Sequence, residues 1–149
     1  MIILKKRLAG ISESALSRFL GRAKRAAGVQ KRVTVLVAGD RELRELNRRF
    51  RAQDRAADVL SFPAGPDGDR GQAGELAISA DRAAANARRL GHAAASELKI
   101  LILHGLLHLA GYDHERDTGR MARRETSLRR ELGLPEALLQ RAARAARRS

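Results

Sequence analysis

The segment Ala93–Ala110, AAASELKILILHGLLHLA, constrains the fold more than any other part of the chain. It is apolar nearly all the way round at helical spacing, so the helix it predicts has to be covered on most sides by other elements. Gly111 stops it. His104 breaks the longest apolar run, Ile100–Leu103, which is far too short to cross a bilayer. His104 and His108 stand four positions apart, so on a helix both rings leave the same face, one turn from each other.

The flanking sequence supplies the cover. Residues 1–5 and Val33–Ala38 read as strands, and Ser14–Ala27 reads as a helix with Ala15, Phe19 and Leu20 inward and Gly28 beyond its end. Asp40 reads as the N-cap of a helix over Arg41–Arg51, with Leu43, Leu46 and Phe50 inward. Asp58–Phe62 and Glu75–Ser79 read as two further strands, antiparallel across a Gly- and Asp-rich loop at Gly65–Gly74. Helices follow at Asp81–Leu90, Ala93–Ala110, Gly119–Leu132 and Glu136–Arg148, the last opened by Pro135 and carrying a basic face. The 149 residues suit one α+β domain, 1–149, with a small four-stranded mixed sheet and about five or six helices around it.

The segment His104–His114, HGLLHLAGYDH, carries the chemistry. Gly111 tolerates positive φ and can turn the chain, so that His114 returns a third imidazole to the pair on the helix. Three neutral imidazoles with a fourth position open make a catalytic zinc site, although nickel or copper would also suit these donors. A lone histidine on an apolar face is ordinarily a satisfied core residue. Here three of the chain's four histidines fall within eleven residues at ligand spacing, and only His92 lies outside. Metzincin peptidases have histidines and a glycine at the same offsets. Their general base is a glutamate beside the first histidine, and this chain has Gly105 there. The ligand cage is present and the peptidase base is missing.

Net charge is +13, from 30 Lys and Arg against 17 Asp and Glu, which suits a polyanionic partner such as RNA. The four aromatic rings, Phe19, Phe50, Phe62 and Tyr112, are too few for an extended base-stacking platform, so phosphate contacts are expected to dominate. Without cysteine there are no disulfides or thiolate metal sites, which fits a reducing cytoplasm. In MIILKKRLAG the charges follow the apolar residues, the reverse of a secretion signal, so a soluble cytoplasmic protein without membrane attachment is expected. Arg51, at the end of its helix before the DVLSFP strand, has the donor fork that matches phosphate oxygens.

Three motifs occur in order: Asn47–Pro63 with N-x-x-F-R leading to DVLSFP, Gly74–Ser79 (GELAIS), and His104–His114, followed by Met121 and Glu125. On these motifs, which span most of residues 40–130, the chain resembles the YbeY family of metal-dependent endoribonucleases. The family usually reads Pro-Thr where this chain has Ala56 and Ala57, and Asp where it has Glu75. The resemblance implies one zinc ion held by His104, His108 and His114, with the histidine helix in a cleft. It also implies a catalytic set that includes Arg51 and His104, and cleavage of single-stranded RNA. The expected setting is ribosomal RNA processing at the 3′ end of the small-subunit RNA and ribosome quality control, with the small ribosomal subunit and ribosomal proteins as partners.

In such a site zinc would polarise a phosphodiester oxygen or lower the pKa of a bound water, and Arg51 would neutralise charge developing at phosphorus. Asp113 and Glu115 are candidates to hold the ligand imidazoles from behind. The competing readings are a non-catalytic zinc-containing ribosome-assembly or rRNA-binding factor and a metallopeptidase, the latter disfavoured by Gly105.

Overall fold

The computed structural model describes residues 1–8, 10–55, 57–65, 71–112 and 118–135. The strands are β1 (Ile2–Leu4), β2 (Arg32–Ala38), β3 (Val59–Pro63) and β4 (Gln72–Ser79). The described helices are α1 (Glu13–Ala27), α2 (Asp40–Arg51), α3 (Ala80–Leu90), α4 (Ala94–Leu109) and α5 (Arg120–Glu131). The strands form one mixed sheet in the order β1-β2-β4-β3, with β1, β2 and β4 parallel and β3 antiparallel to β4. This is the α+β architecture expected. The helix expected over Glu136–Arg148 lies outside the described residues.

Helix ends follow the local chemistry. Ser12 caps α1 by accepting from the Ala15 amide at 3.1 Å, and Gly28 closes it in the left-handed region. Asp40 departs from expectation: it is the first residue of α2 rather than its cap, and its amide donates to Asp81 Oδ2 at 2.8 Å. The cap comes from another helix because Ser79 and Asp81, at the start of α3, stand beside the start of α2. Ser79 Oγ caps α3 through the Arg82 amide at 3.1 Å and donates to Asp40 Oδ1 at 2.6 Å.

Strand β4 begins earlier than expected, at Gln72, with Gly74 inside it. The parallel register with β2 slips between Arg32 and Val33, which pair with Gln72 and Gly74. Gly74 takes φ +151°, and a Cβ there would lie 2.5 Å from the Phe62 carbonyl oxygen. Only glycine fits, and it permits the bulge.

Helix α4 is the centre of the domain. Leu98, Ile102 and Leu106 pack with α1 and the sheet residues Val35, Leu76 and Ile78. Leu103 and Leu107 pack with Met121 and Leu128 of α5. Burying a leucine of this kind contributes about 1.5–3 kcal/mol, so α4 is held by its packing far more than by its propensity. A smaller cluster of Ala38, Leu43, Leu60 and Ala77 lies under α2 on the opposite face of the sheet. Among the described residues no single helix is long and apolar enough to cross a membrane.

Candidate metal centre

The placement of the histidines follows from the stripes on α4. Each residue advances about 100° around a helix. The stripe with Leu103 and Leu107 is taken by α5 and the stripe with Gly105 by the sheet, so His104 and His108 open on the gap between them. Both are only half-buried on an otherwise covered helix. Their rings stand edge to face with centroids 4.8 Å apart, and their Nε2 atoms are 3.2 Å apart.

Glu125 of α5 reaches the other nitrogen of His104, with Oε1 3.0 Å from Nδ1. An ionised carboxylate only accepts, so Nδ1 carries the proton and, in the neutral ring, Nε2 presents its lone pair. Arg129 lies 3.5 Å from the second carboxylate oxygen. Burial works against the charge on Glu125. The hydrogen bond from His104 and the charge of Arg129 work the other way, and the carboxyl is held below its ordinary pKa. Carboxylate, imidazole and metal in this order form a recurrent way of orienting a ligand and raising its basicity. Two nitrogens bound to one tetrahedral zinc at ~2.0–2.1 Å would stand about 3.3–3.4 Å apart. The observed 3.2 Å fits one ion shared by the pair.

Gly111 takes φ +99° and the Tyr112 amide donates to Leu107 O at 3.0 Å, so the chain turns sharply after α4 as expected. Tyr112 is held again on the far side of the turn, where the Arg120 guanidinium carbon lies 5.7 Å from its ring centroid. His114, with Asp113 and Glu115, lies outside the described residues. Among the described residues no three His, Cys, Asp or Glu side chains converge as a complete metal cluster, so the described part of the centre is the His104–His108 pair with Glu125 behind it.

Gly105 faces the sheet. A Cβ there would lie 2.7 Å from Leu76 Cδ2 and 2.9 Å from its Cδ1. The position where metzincins carry their base therefore points into the core of this chain and away from the histidine gap.

Arg51 closes α2, as expected, followed by Ala52 in the left-handed region. Its Nη2 donates to the carbonyl oxygen of Ser61 on β3, and its guanidinium carbon lies 5.6 Å from the Phe62 ring centroid. Ser61 pairs with Leu76, the residue that meets Gly105, and α4 packs on β3. The structure thus joins His104 and His108 directly and sets Arg51 at the outer edge of β3, a strand that packs against α4.

Two features escaped the sequence reading. The sequence marks Glu125 only as following the histidine motif and offers Asp113 and Glu115 as candidates for its role; no local pattern joins residues 21 apart. Phe50, expected inward, is 63% exposed, because it stands with Leu46 and Phe62 at the rim of an open groove beside α2. The remaining histidine, His92, bonds Glu97 at 2.6 Å at the opposite end of α4.

Similarity to known proteins identifies the family. The family model described as Endoribonuclease YbeY matches residues 2–133. The chain belongs to the YbeY family. A relative from Koribacter versatilis (strain Ellin345) named endoribonuclease YbeY is 57% identical over 149 residues, covering 100% of this chain and 96% of the relative. One of the same name from Solibacter usitatus (strain Ellin6076) is 46% identical over 140 residues, covering 94% of this chain and 92% of the relative. A solution structure from Thermotoga maritima shares the fold, with a TM-score of 0.59 and 30% identity over 89% of each chain. The YbeY assignment thus covers the elements that carry the histidine pair, Glu125 and Arg51.

Proposed function

We propose that this YbeY-family chain is a zinc-dependent endoribonuclease that cleaves single-stranded RNA during ribosomal RNA maturation in the cytoplasm. His104, His108 and His114 would hold one zinc ion, and the whole chain, residues 1–149, would work as a single catalytic domain. The observation that carries the reading is the convergence of the two Nε2 atoms at 3.2 Å with Glu125 fixing the tautomer of His104. The chemistry of the donors fits: neutral imidazoles backed by a carboxylate suit zinc.

When bound, zinc supplies a Lewis acid for a phosphodiester oxygen and a way to lower the pKa of water toward ~7. The rest falls to the chain. Glu125 keeps the His104 ring in one orientation. Arg51 has a planar fork of five N–H donors, of which the bond to Ser61 O engages one, and the others suit two oxygens of a phosphate. That role asks the guanidinium to neutralise charge that grows at phosphorus in the transition state. The +13 net charge draws the polyanion to the surface, and the small ribosomal subunit with its proteins is the expected setting. A peptidase activity has no support, since Gly105 packs on Leu76 where a base would be needed.

The test compares zinc-loaded and zinc-stripped protein on single-stranded and duplex RNA, with product ends mapped. Scission of the single strand by the zinc-loaded form alone is expected. Tight RNA binding without scission in either form, across several RNAs, would make the chain an assembly factor instead.

A further inference from the structure

Helix α2 covers only part of its face of the sheet. Beside it lies an open groove of about 460 Å³, lined among others by Ile3, Leu36, Phe50, Phe62 and Glu75. That volume falls within the range of small-ligand sites. Phe50 and Phe62 meet there edge to face, with centroids 5.8 Å apart and planes at 71°. A single exposed ring calls for no explanation. Here each ring of the pair has its own cation: the Arg49 guanidinium carbon is 5.5 Å from the Phe50 centroid, and that of Arg51 is 5.6 Å from the Phe62 centroid. Two of the four aromatic rings in the chain thus form one arginine-flanked apolar step.

We propose that this groove is a nucleobase subsite, in which a base of single-stranded RNA stacks on Phe50 while the adjoining phosphates pair with Arg49 and Arg51. The inference rests on the endoribonuclease reading and adds to it a place for the base. Aromatic faces accept any base, and base stacking beside arginines is the usual way to hold single strands without sequence preference. Glu75 fixes the sense of binding. It pairs with Phe62 on the same face of the sheet, so its carboxylate repels a phosphate from the groove and accepts from a base amino group. The sugar-phosphate chain is thereby kept on the arginine side. Arg51 belongs both to this step and to the outer edge of β3, a strand whose other face packs against α4, so a single strand anchored here has only to pass round that edge to reach the histidine side of the sheet. A duplex cannot use the step, because its bases are already stacked. The scarcity of aromatics noted above excludes an extended platform and still allows one base.

The chain has no tryptophan, so Phe50→Trp installs a single reporter. The probes are a short single-stranded oligoribonucleotide, the same chain with abasic residues, and a duplex of the same length. Quenching by the intact single strand at concentrations at least tenfold below those needed with the other two is expected. Equal quenching by all three would reduce the groove to a charge contact and overturn the proposal. Quenching by none would overturn it too, and would leave the groove to a protein partner. In a second arm, zinc-loaded Phe50→Ala and Phe50→Leu are assayed on the same oligoribonucleotide. Because Phe50 is largely exposed, both should fold. Their KM should rise about tenfold with kcat within about twofold of wild type. An unchanged KM in both would sink the subsite while the endoribonuclease reading stands. If wild type cleaves no RNA, that reading falls, and the tryptophan titration still decides the groove.

Discussion

Glu125 of α5 accepts a hydrogen bond from His104 Nδ1 across 3.0 Å, joining two helices separated in sequence by the segment that contains His114. The carboxylate thus decides which nitrogen of His104 is available. Removing such a partner typically costs 10–100-fold in metal affinity. Glu125→Ala should therefore weaken zinc binding by about that factor, and Glu125→Gln, which keeps an acceptor but loses the charge, by less. Competition with a chromophoric chelator measures both. Wild-type affinity in Glu125→Ala would remove Glu125 from the centre.

Metal content itself is the second test. Purified protein should carry about one zinc per chain, and His108→Ala should lose it, since two of the three proposed donors lie on α4. Full zinc retention in the His104→Ala/His108→Ala double variant, measured by atomic absorption, would refute the assignment.

Gly105→Ala tests how α4 sits on the sheet. Alanine favours a helix over glycine by about 1 kcal/mol. The added methyl, however, would press on Leu76, which is 1% exposed and cannot swing clear. Overpacking of this kind costs about 1–3 kcal/mol, so a net loss is expected in urea unfolding. In a Leu76→Ala background the same substitution should be neutral or stabilising, a coupling that only direct contact produces. Gly105→Glu should create no casein hydrolysis, because its side chain enters the core.

Arg51 separates an enzyme from a binding factor. If it meets charge that peaks in the transition state, Arg51→Ala should slow single-turnover cleavage by ~10²–10³ while equilibrium RNA binding changes far less. Arg51→Lys should recover only part of the rate, since a point charge cannot replace the fork. Equal rates in all three proteins would take Arg51 out of the chemistry.

Acid stability should report on Asp81. Its side-chain bond from Lys6 is the largest influence and its bond from the Asp40 amide the next, and both hold its pKa below the ordinary value. A depressed carboxylate contributes stability that is complete above its unfolded pKa, about 4, and is lost as pH falls through the lower folded value. Asp81→Asn should thus unfold at a lower urea concentration than wild type at neutral pH, and the difference should shrink as pH falls below the unfolded value. The contacts are largely exposed, so a small gap is expected, and added salt should narrow it. A gap that persists at low pH would mean that lost shape rather than lost charge is responsible.

The sheet, the order of helices and the histidine pair were legible in the sequence because each rests on a short-range pattern. The alternation in Val33–Ala38, the apolar stretch before His104 and the glycines after α1 and α4 are all local. What escaped depends on contacts between distant segments. Asp81 takes over the cap of α2, Gly74 lies within β4 because of the Phe62 carbonyl, and Phe50 is exposed because the groove beside α2 is left open. Periodicity tells which side of a helix is apolar, but not how far the partner beneath it extends.

The bond from Arg51 to Ser61 has a further consequence for the lone molecule. Ser79 N donates to Asp58 O and Ala64 N to Ala73 O, so alternate residues of β3 face β4 and Ser61 turns its backbone away from it. The carbonyl that Arg51 holds is therefore one through which β3 could recruit a strand from another copy of the chain. A bulky cation over that oxygen is one of the ways in which an edge strand is made a poor partner for intermolecular pairing. The residue proposed to meet the phosphate of a substrate thus also covers a backbone acceptor on the edge strand of the sheet.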